Sequence, residues 1–160
     1  PGSFTGLRIA ASVAQGAAFG ADLPVVPVSS LQALARQCCR SGSESVLAAF
    51  DARMDEVYWG AFACGEDVIP QPLSEECVCA PADVEVPEGG PWHGLGSGWA
   101  SYAGELKARA TDTLTLQADA QVHAADVAAI SATVFSTGGA VSPEEALPVY
   151  LRDRVAWKKT

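Results

Sequence analysis

Apolar side chains recur at three and four positions from Phe4 to Phe19 with no proline between them, a spacing that predicts a helix starting near Ser3 or Thr5 and stopping at Gly20. Leu7, Ala10, Ala11, Ala14, Ala17 and Ala18 form a broad face of small residues, on which another helix can approach closely through backbone contact. Such a face needs a partner. Leu23 to Val28 is a short Val-rich run that reads as a strand. Ser29 followed by Gln32 has the spacing of a capping box ahead of a helix from Ser30 to Cys39. After a polar break at 41–44, Ser45 to Asp51 is a continuous apolar segment, as expected of a central strand covered on both faces. Residues 51–55 are polar and turn-like. Beyond them Val57, Trp59 and Ala61 alternate with Tyr58, Gly60 and Phe62, so the two strands should form a hairpin.

Residues 65–91 are rich in proline and acids, a loop-dominated crossing with a short strand at 76–79 and a stunted helix near Pro81. Trp92 to Gly98 reads as a strand running into a Gly-rich turn. Helices are expected at Trp99–Ala108 and at Ala124–Thr137, the second apolar at Val127, Ile130 and Val134. A polar link over 142–145 leads to an extended, basic finish from Pro148 to Trp157. The order describes a mixed α/β chain without internal repeats, in two lobes, residues 1–44 and 45–160. One strand flanked by two helices makes no stable sheet, so the first lobe is expected to be incomplete. The chain opens Pro1-Gly2-Ser3 without an initiator Met, at the entrance to a helix, and a preceding segment carrying further strands is expected.

A chain that is 49% hydrophobic and 18% charged lies well away from the regime of disordered sequences, and an ordered globule is expected. Its net charge is −9, and Arg152, Arg154, Lys158 and Lys159 supply 4 of the 10 basic residues within the last nine positions. The body is therefore more acidic still. Nucleic-acid affinity comes largely from phosphate neutralisation by Lys and Arg, so the body should not grip nucleic acid by itself. Five cysteines (Cys38, Cys39, Cys64, Cys77 and Cys79), with no signal-like or membrane-length apolar run, read as a reduced, cytoplasmic protein. Cys77 and Cys79 could hold a metal with His93 or His123, but no paired C-x-x-C or H-x-x-x-H spacing accompanies them.

Three stretches are more specific. Pro1-Gly2-Ser3-Phe4-Thr5-Gly6-Leu7-Arg8-Ile9 resembles the (G)PGSFTG(L/V)RIG signature of TsaB proteins. The segment from Asp51 to Trp59 (DARMDEVYW) resembles their DARMGEVYWA hairpin, and Pro148 to Lys159 (PVYLRDRVAWKK) their closing PVYLRxxVAWKK. Leu23 to Leu34 and the GxGW turn at Gly94–Trp99 are similar as well, so the resemblance spans the chain. One departure is Asp55, where that family usually has Gly.

The resemblance implies an actin-like, ribonuclease-H-like α/β fold of the kind shared by sugar kinases, without a working active site of its own. It implies a non-catalytic dimerization subunit that pairs with TsaD, the catalytic paralogue, and with the ATPase TsaE, so that TsaD transfers threonylcarbamoyl to adenosine 37 of tRNA. The tRNA would be met only through the complex, and no cofactor of its own is expected, although a nucleotide trapped against TsaD is left open. Pairing in the family uses helices of the first lobe, which assigns partner binding here to Phe4, Leu7, Arg8, Ala10, Ala11, Ala14 and Ala18. A large charged residue at Ala11 or Ala14 should abolish it. Without TsaD the same face would favour a homodimer.

Other chemistries are weighed against this one. A metallopeptidase or a TsaD-type enzyme needs an H-x-x-x-H pair, and the two histidines stand thirty positions apart. A serine hydrolase could use Ser3 with His93 or His123 as base, but Gly2-Ser3-Phe4-Thr5-Gly6 lacks the G-x-S-x-G order, and a Ser before a helix is ordinarily its cap. A Gly turn at a helix N-terminus with Arg8 nearby could receive phosphate, yet the Walker lysine is missing. Arg53 and Glu56 flank the hairpin tip and read as solvated charges. Tyr150, Arg152 and Trp157 belong either to a basic tail that docks on an acidic surface or near tRNA, or to a packed terminal strand with a frayed charged end.

Overall fold

The computed structural model describes residues 1–65 and 69–152. The first helix, α1, runs from Phe4 to Ala21, with Ser3 as N-cap accepting from the Gly6 N–H at 3.2 Å. It does not stop at Gly20. Asp22 takes the left-handed conformation (φ 55) and donates to the Ala18 and Phe19 carbonyls, while Leu23 N–H also reaches Ala18. The expected strand at 23–28 is not formed beyond an isolated bridge between Val25 and Val141. The reason lies in Pro24 and Pro27, which offer no N–H to a ladder.

Helix α2 (Ser30–Arg40) starts where the capping residues place it, since Ser29 Oγ accepts from the N–H groups of Leu31 and Gln32. Only half of the box closes: the Gln32 amide donates instead to the Pro70 carbonyl, 2.9 Å away. Leu31, Leu34, Ala35 and Cys38 form a buried stripe at helical spacing.

Strands β1 (Ser45–Arg53) and β2 (Glu56–Cys64) form the expected antiparallel hairpin. Two three-residue strands, β3 (Pro70–Pro72) and β4 (Cys77–Cys79), both pair with the far edge of β2. Strand β5 (Trp92–Leu95) lies parallel to β1, and β6 (Thr113–Gln117) parallel to β5, giving the order β3-β2-β1-β5-β6. The apolar segment after residue 44 is thus the central strand.

Alternation along β1 and β2 sorts the core into two layers. Leu47, Ala49, Val57, Trp59 and Ala61 face Trp92, Trp99 and Leu106 on one side. Val46, Ala48, Phe62 and Leu95 face α2 on the other. Because α2 is a layer of this sheet, the boundary expected at residues 41–44 does not separate two packing units; the looser element is α1. The helix expected over 99–108 is two: α3 (Ser97–Ser101), which packs on β1, and α4 (Ala103–Arg109), which packs on the 3-10 turn at Pro81–Asp83. Gly96 (φ 99) makes the turn into α3, and a Cβ there would stand 2.4 Å from the Ala49 carbonyl oxygen.

Helix α5 (Ala124–Ser136) crosses α2 with Ile130 buried, and Val127 and Val134 packed beside it. Asp126, fully buried, meets Arg36 at 2.7 Å and Arg40 at 3.4 Å. The polar link expected over 142–145 is a 3-10 turn at Pro143–Glu145, and 148–152 forms no strand. The reading of five reduced cysteines is also corrected: the last turn of α2 lies against the end of β2, and Cys39 and Cys64 form a disulfide. Cys38, Cys77 and Cys79 are free.

Candidate functional site

Helix α1 carries 18 residues and only Ala18 is buried. With about 3.6 residues per turn, Leu7, Ala11 and Ala18 fall on one side of the helix and face the body of the protein. The opposite side presents Ile9 (60% exposed), Val13 (66%), Gly16 and Gly20. A Cβ built on either glycine would meet nothing within 4 Å, so a second backbone could approach closely there. The seven residues assigned to partner binding are therefore divided. Leu7, Ala11 and Ala18 turn inward, Ala10 and Ala14 stay exposed on the flank, and Phe4 and Arg8 are engaged by the C-terminal segment. Ile9 and Val13, which that assignment does not include, are the large apolar side chains on the exposed side, and their place in the helical repeat is the signal that marks them.

The Tyr150 ring lies 5.8 Å from that of Phe4, its hydroxyl accepts from Arg8 Nε at 3.2 Å, and the Arg8 guanidinium rests 4.0 Å from the Phe4 centroid. The Arg8 guanidinium is thus engaged by Phe4 and Tyr150 at the first turn of α1.

The hairpin tip is unusual in its backbone. Arg53, Met54 and Asp55 all have positive φ (62, 57 and 58), a conformation that costs a side chain about 1–2 kcal/mol per residue. Arg152 closes over it, donating to the Ala52 carbonyl at 3.1 Å and the Arg53 carbonyl at 3.4 Å, and pairing with the Glu56 carboxylate. Its guanidinium also stands 6.0 Å from the Tyr58 ring. Glu56 is accordingly a structural partner, while the Arg53 side chain stays in solvent beside Asp51. Tyr150 and Arg152 are packed against the body without a strand; Trp157, Arg154, Lys158 and Lys159 lie outside the described residues.

Between α1, the hairpin and this segment lies a cavity of about 560 Å³, lined in part by Ser3, Phe4, Tyr58, Ser97 and Arg152. Among the described residues no histidine lines it. Ser3 serves as the cap of α1, and His93 pairs through Nδ1 with Thr115 Oγ1 at 2.5 Å, so no Ser–His arrangement is assembled. Cys77 and Cys79 bring their sulfurs to 3.9 Å, and burial, followed by the neighbouring Cys77, pushes the Cys79 thiol up to about 12. Among the described residues no third His, Cys, Asp or Glu joins them in a metal-binding group, and no helix is long and apolar enough to cross a membrane.

Comparison with known proteins agrees in direction. A family model described as TsaD, tRNA N6-adenosine threonylcarbamoyltransferase, matches residues 1–157. The tRNA threonylcarbamoyladenosine biosynthesis protein TsaB of Escherichia coli is 41% identical over 99% of this chain and 70% of its own length. The protein of the same description from Haemophilus influenzae is 36% identical over 99% and 70%. Two solved Pseudomonas aeruginosa structures, one described as YeaZ and the other as an uncharacterized protein with similarity to peptidase YEAZ, superpose with TM-scores of 0.86 and 0.87. Each is 41% identical to this chain and is covered over 70% of its length.

Proposed function

The chain belongs to the TsaB family, and from that premise we propose that it serves tRNA threonylcarbamoyladenosine biosynthesis as a non-catalytic subunit, pairing with a TsaD-type catalytic protein and working with a TsaE-type ATPase. Its fold is the actin-like, ribonuclease-H-like α/β fold of that family. The observation that carries the proposal is the free side of α1, where Ile9 and Val13 are exposed around two glycines that leave room for a partner helix. An apolar helix side of this kind gains from burial against a protein surface and offers nothing for chemistry.

The peptidase description attached to one solved neighbour finds little support in this chain. Ser3 is a helix cap, and the histidines neither have H-x-x-x-H spacing nor line the cavity beside Ser3. The matching family model bears the name of the catalytic paralogue, whose metal pair this sequence also lacks. Any nucleotide would be trapped between this chain and its partner rather than held by this chain alone. The acidic body leaves tRNA to the partner, and a role in tRNA modification fits a cytoplasmic protein.

The test is size-exclusion chromatography with light scattering of the protein mixed with its cognate TsaD-type subunit, together with a threonylcarbamoyl-transfer assay on tRNA. Co-elution as a defined complex, with transfer in the mixture and none by this chain alone, is the expected result. Separate elution and equal activity of the TsaD-type protein alone would refute the pairing. Alone, the protein is expected to form a homodimer through the same face.

A further inference from the structure

We infer that Tyr150 and Arg152 are positioning residues: they brace the first turn of α1 against the hairpin tip and thereby set the pose of the helix side offered to the partner. The inference rests on the pairing proposed above for its consequence, but not for its mechanics. Those follow from how little else holds α1. Among the described residues, Leu7, Ala11 and Gln15 are the half-buried positions of α1 ahead of buried Ala18, so its direction is set mainly at its two ends. The C-terminal end is fixed by buried Ala18, by the Leu23 N–H on the Ala18 carbonyl and by the turn at Pro143–Glu145.

At the N-terminal end Tyr150 supplies both an aromatic contact to Phe4 and the acceptor for Arg8, joining residues 142 positions apart in the chain. Tyr150 can do this only if its own segment is anchored, and 148–152 has no strand pairing of its own. Arg152 provides the anchor. Its side chain is 17% exposed, and it satisfies two carbonyls of a strained turn together with the Glu56 carboxylate. A planar guanidinium with several fixed donors can serve these acceptors at once, whereas a lysine ammonium presents a single point charge. Arg152 therefore locks the segment to the rigid hairpin, and Tyr150 transmits that fixed point to α1.

The test uses the whole protein with Tyr150→Ala, Tyr150→Phe, Arg152→Ala and Arg152→Lys. Three quantities are read for each: amide hydrogen exchange along α1, Kd for the TsaD-type subunit, and the global unfolding midpoint. Loss of an aromatic contact and a hydrogen bond should make Tyr150→Ala exchange faster over the first two turns of α1 and weaken Kd, each about tenfold. Its midpoint should stay close to that of the parent. Tyr150→Phe keeps the ring on Phe4 and should recover most of both effects. Arg152→Ala should act in the same direction, and Arg152→Lys should fail to restore it.

Unchanged exchange in α1 would overturn the brace. Faster exchange with unchanged Kd would overturn its bearing on the partner face. Should the unsubstituted protein fail to bind, the pairing itself falls, and exchange in α1 alone decides the brace. If Tyr150→Ala does not fold, Arg152→Ala, which leaves every α1 contact chemically intact, is judged by the same criteria.

Discussion

Asp55 occupies the third of three successive left-handed positions at the hairpin tip, at φ 58, and it is the position at which the TsaB motif usually carries glycine. A residue without a Cβ relieves the strain there but gains freedom in the unfolded chain, so the two effects partly cancel. Asp55→Gly is expected to stabilise the protein by about 0.5 kcal/mol, read as a higher urea midpoint with an unchanged slope. An unchanged or lower midpoint would mean that Asp adopts this conformation without strain. Cys79 gives a second test at this scale. Burial and the adjacent Cys77 raise its pKa to about 12, so the reactive thiolate is scarce below that pH and grows as pH rises. Iodoacetamide should therefore modify Cys79 far more slowly at pH 8 than an ordinary thiol, and mass mapping of the alkylated peptide measures it. Rapid labelling of Cys79 would place the pair in a more open setting.

Among the elements, the α2–α5 contact depends on one fully buried carboxylate. Asp126 receives Arg36 and Arg40 on the same oxygen, and among the described residues its other oxygen and Arg36 Nε have no partner. Removing one member of such a pair leaves a charge with reduced solvation and no counter-charge. Asp126→Ala is expected to cost about 3 kcal/mol, measured by denaturant unfolding, and to loosen α5 from the sheet. A loss below about 1 kcal/mol would show the pair to be screened by water. The helices α1, α2 and α5 and the hairpin were legible from apolar period and capping chemistry, which act within a few residues. Strand β3, three residues long and bounded by prolines, carries no such period. Strand β6 (TLTLQ) does carry alternation, but over only five residues, and its place beside β5 depends on partners far away in the chain.

For the whole molecule, the consequence of the fold is that α1 has one side committed to its own protein and one side free. Val13→Glu should abolish co-elution with the TsaD-type subunit while changing stability by no more than about 0.5 kcal/mol, because an exposed side chain is exchanged. Ala14 is exposed but flanks the side of Leu7 and Ala18, so Ala14→Glu probes the edge of the surface and should weaken co-elution less than Val13→Glu. Ala11→Glu, expected from the helical repeat to behave the same way, is a different experiment, since half-buried Ala11 faces the body and a charge there disturbs the docking of α1 itself. Retained co-elution with Val13→Glu would move the partner surface away from this helix.

The sequence by itself determined the family, the α/β class, the central strand and hairpin, and the helix starts at Ser3 and Ser29, because motif identity, apolar period and caps are local properties. It also marked α1 as a helix in need of a partner. Only the tertiary structure decided which side of α1 is free, that Cys39 meets Cys64, and that Arg152 closes over the tip at Ala52–Glu56. Each of these joins residues 25 or more positions apart or depends on which face a neighbouring layer already covers, and no pattern confined to one helix or strand encodes that.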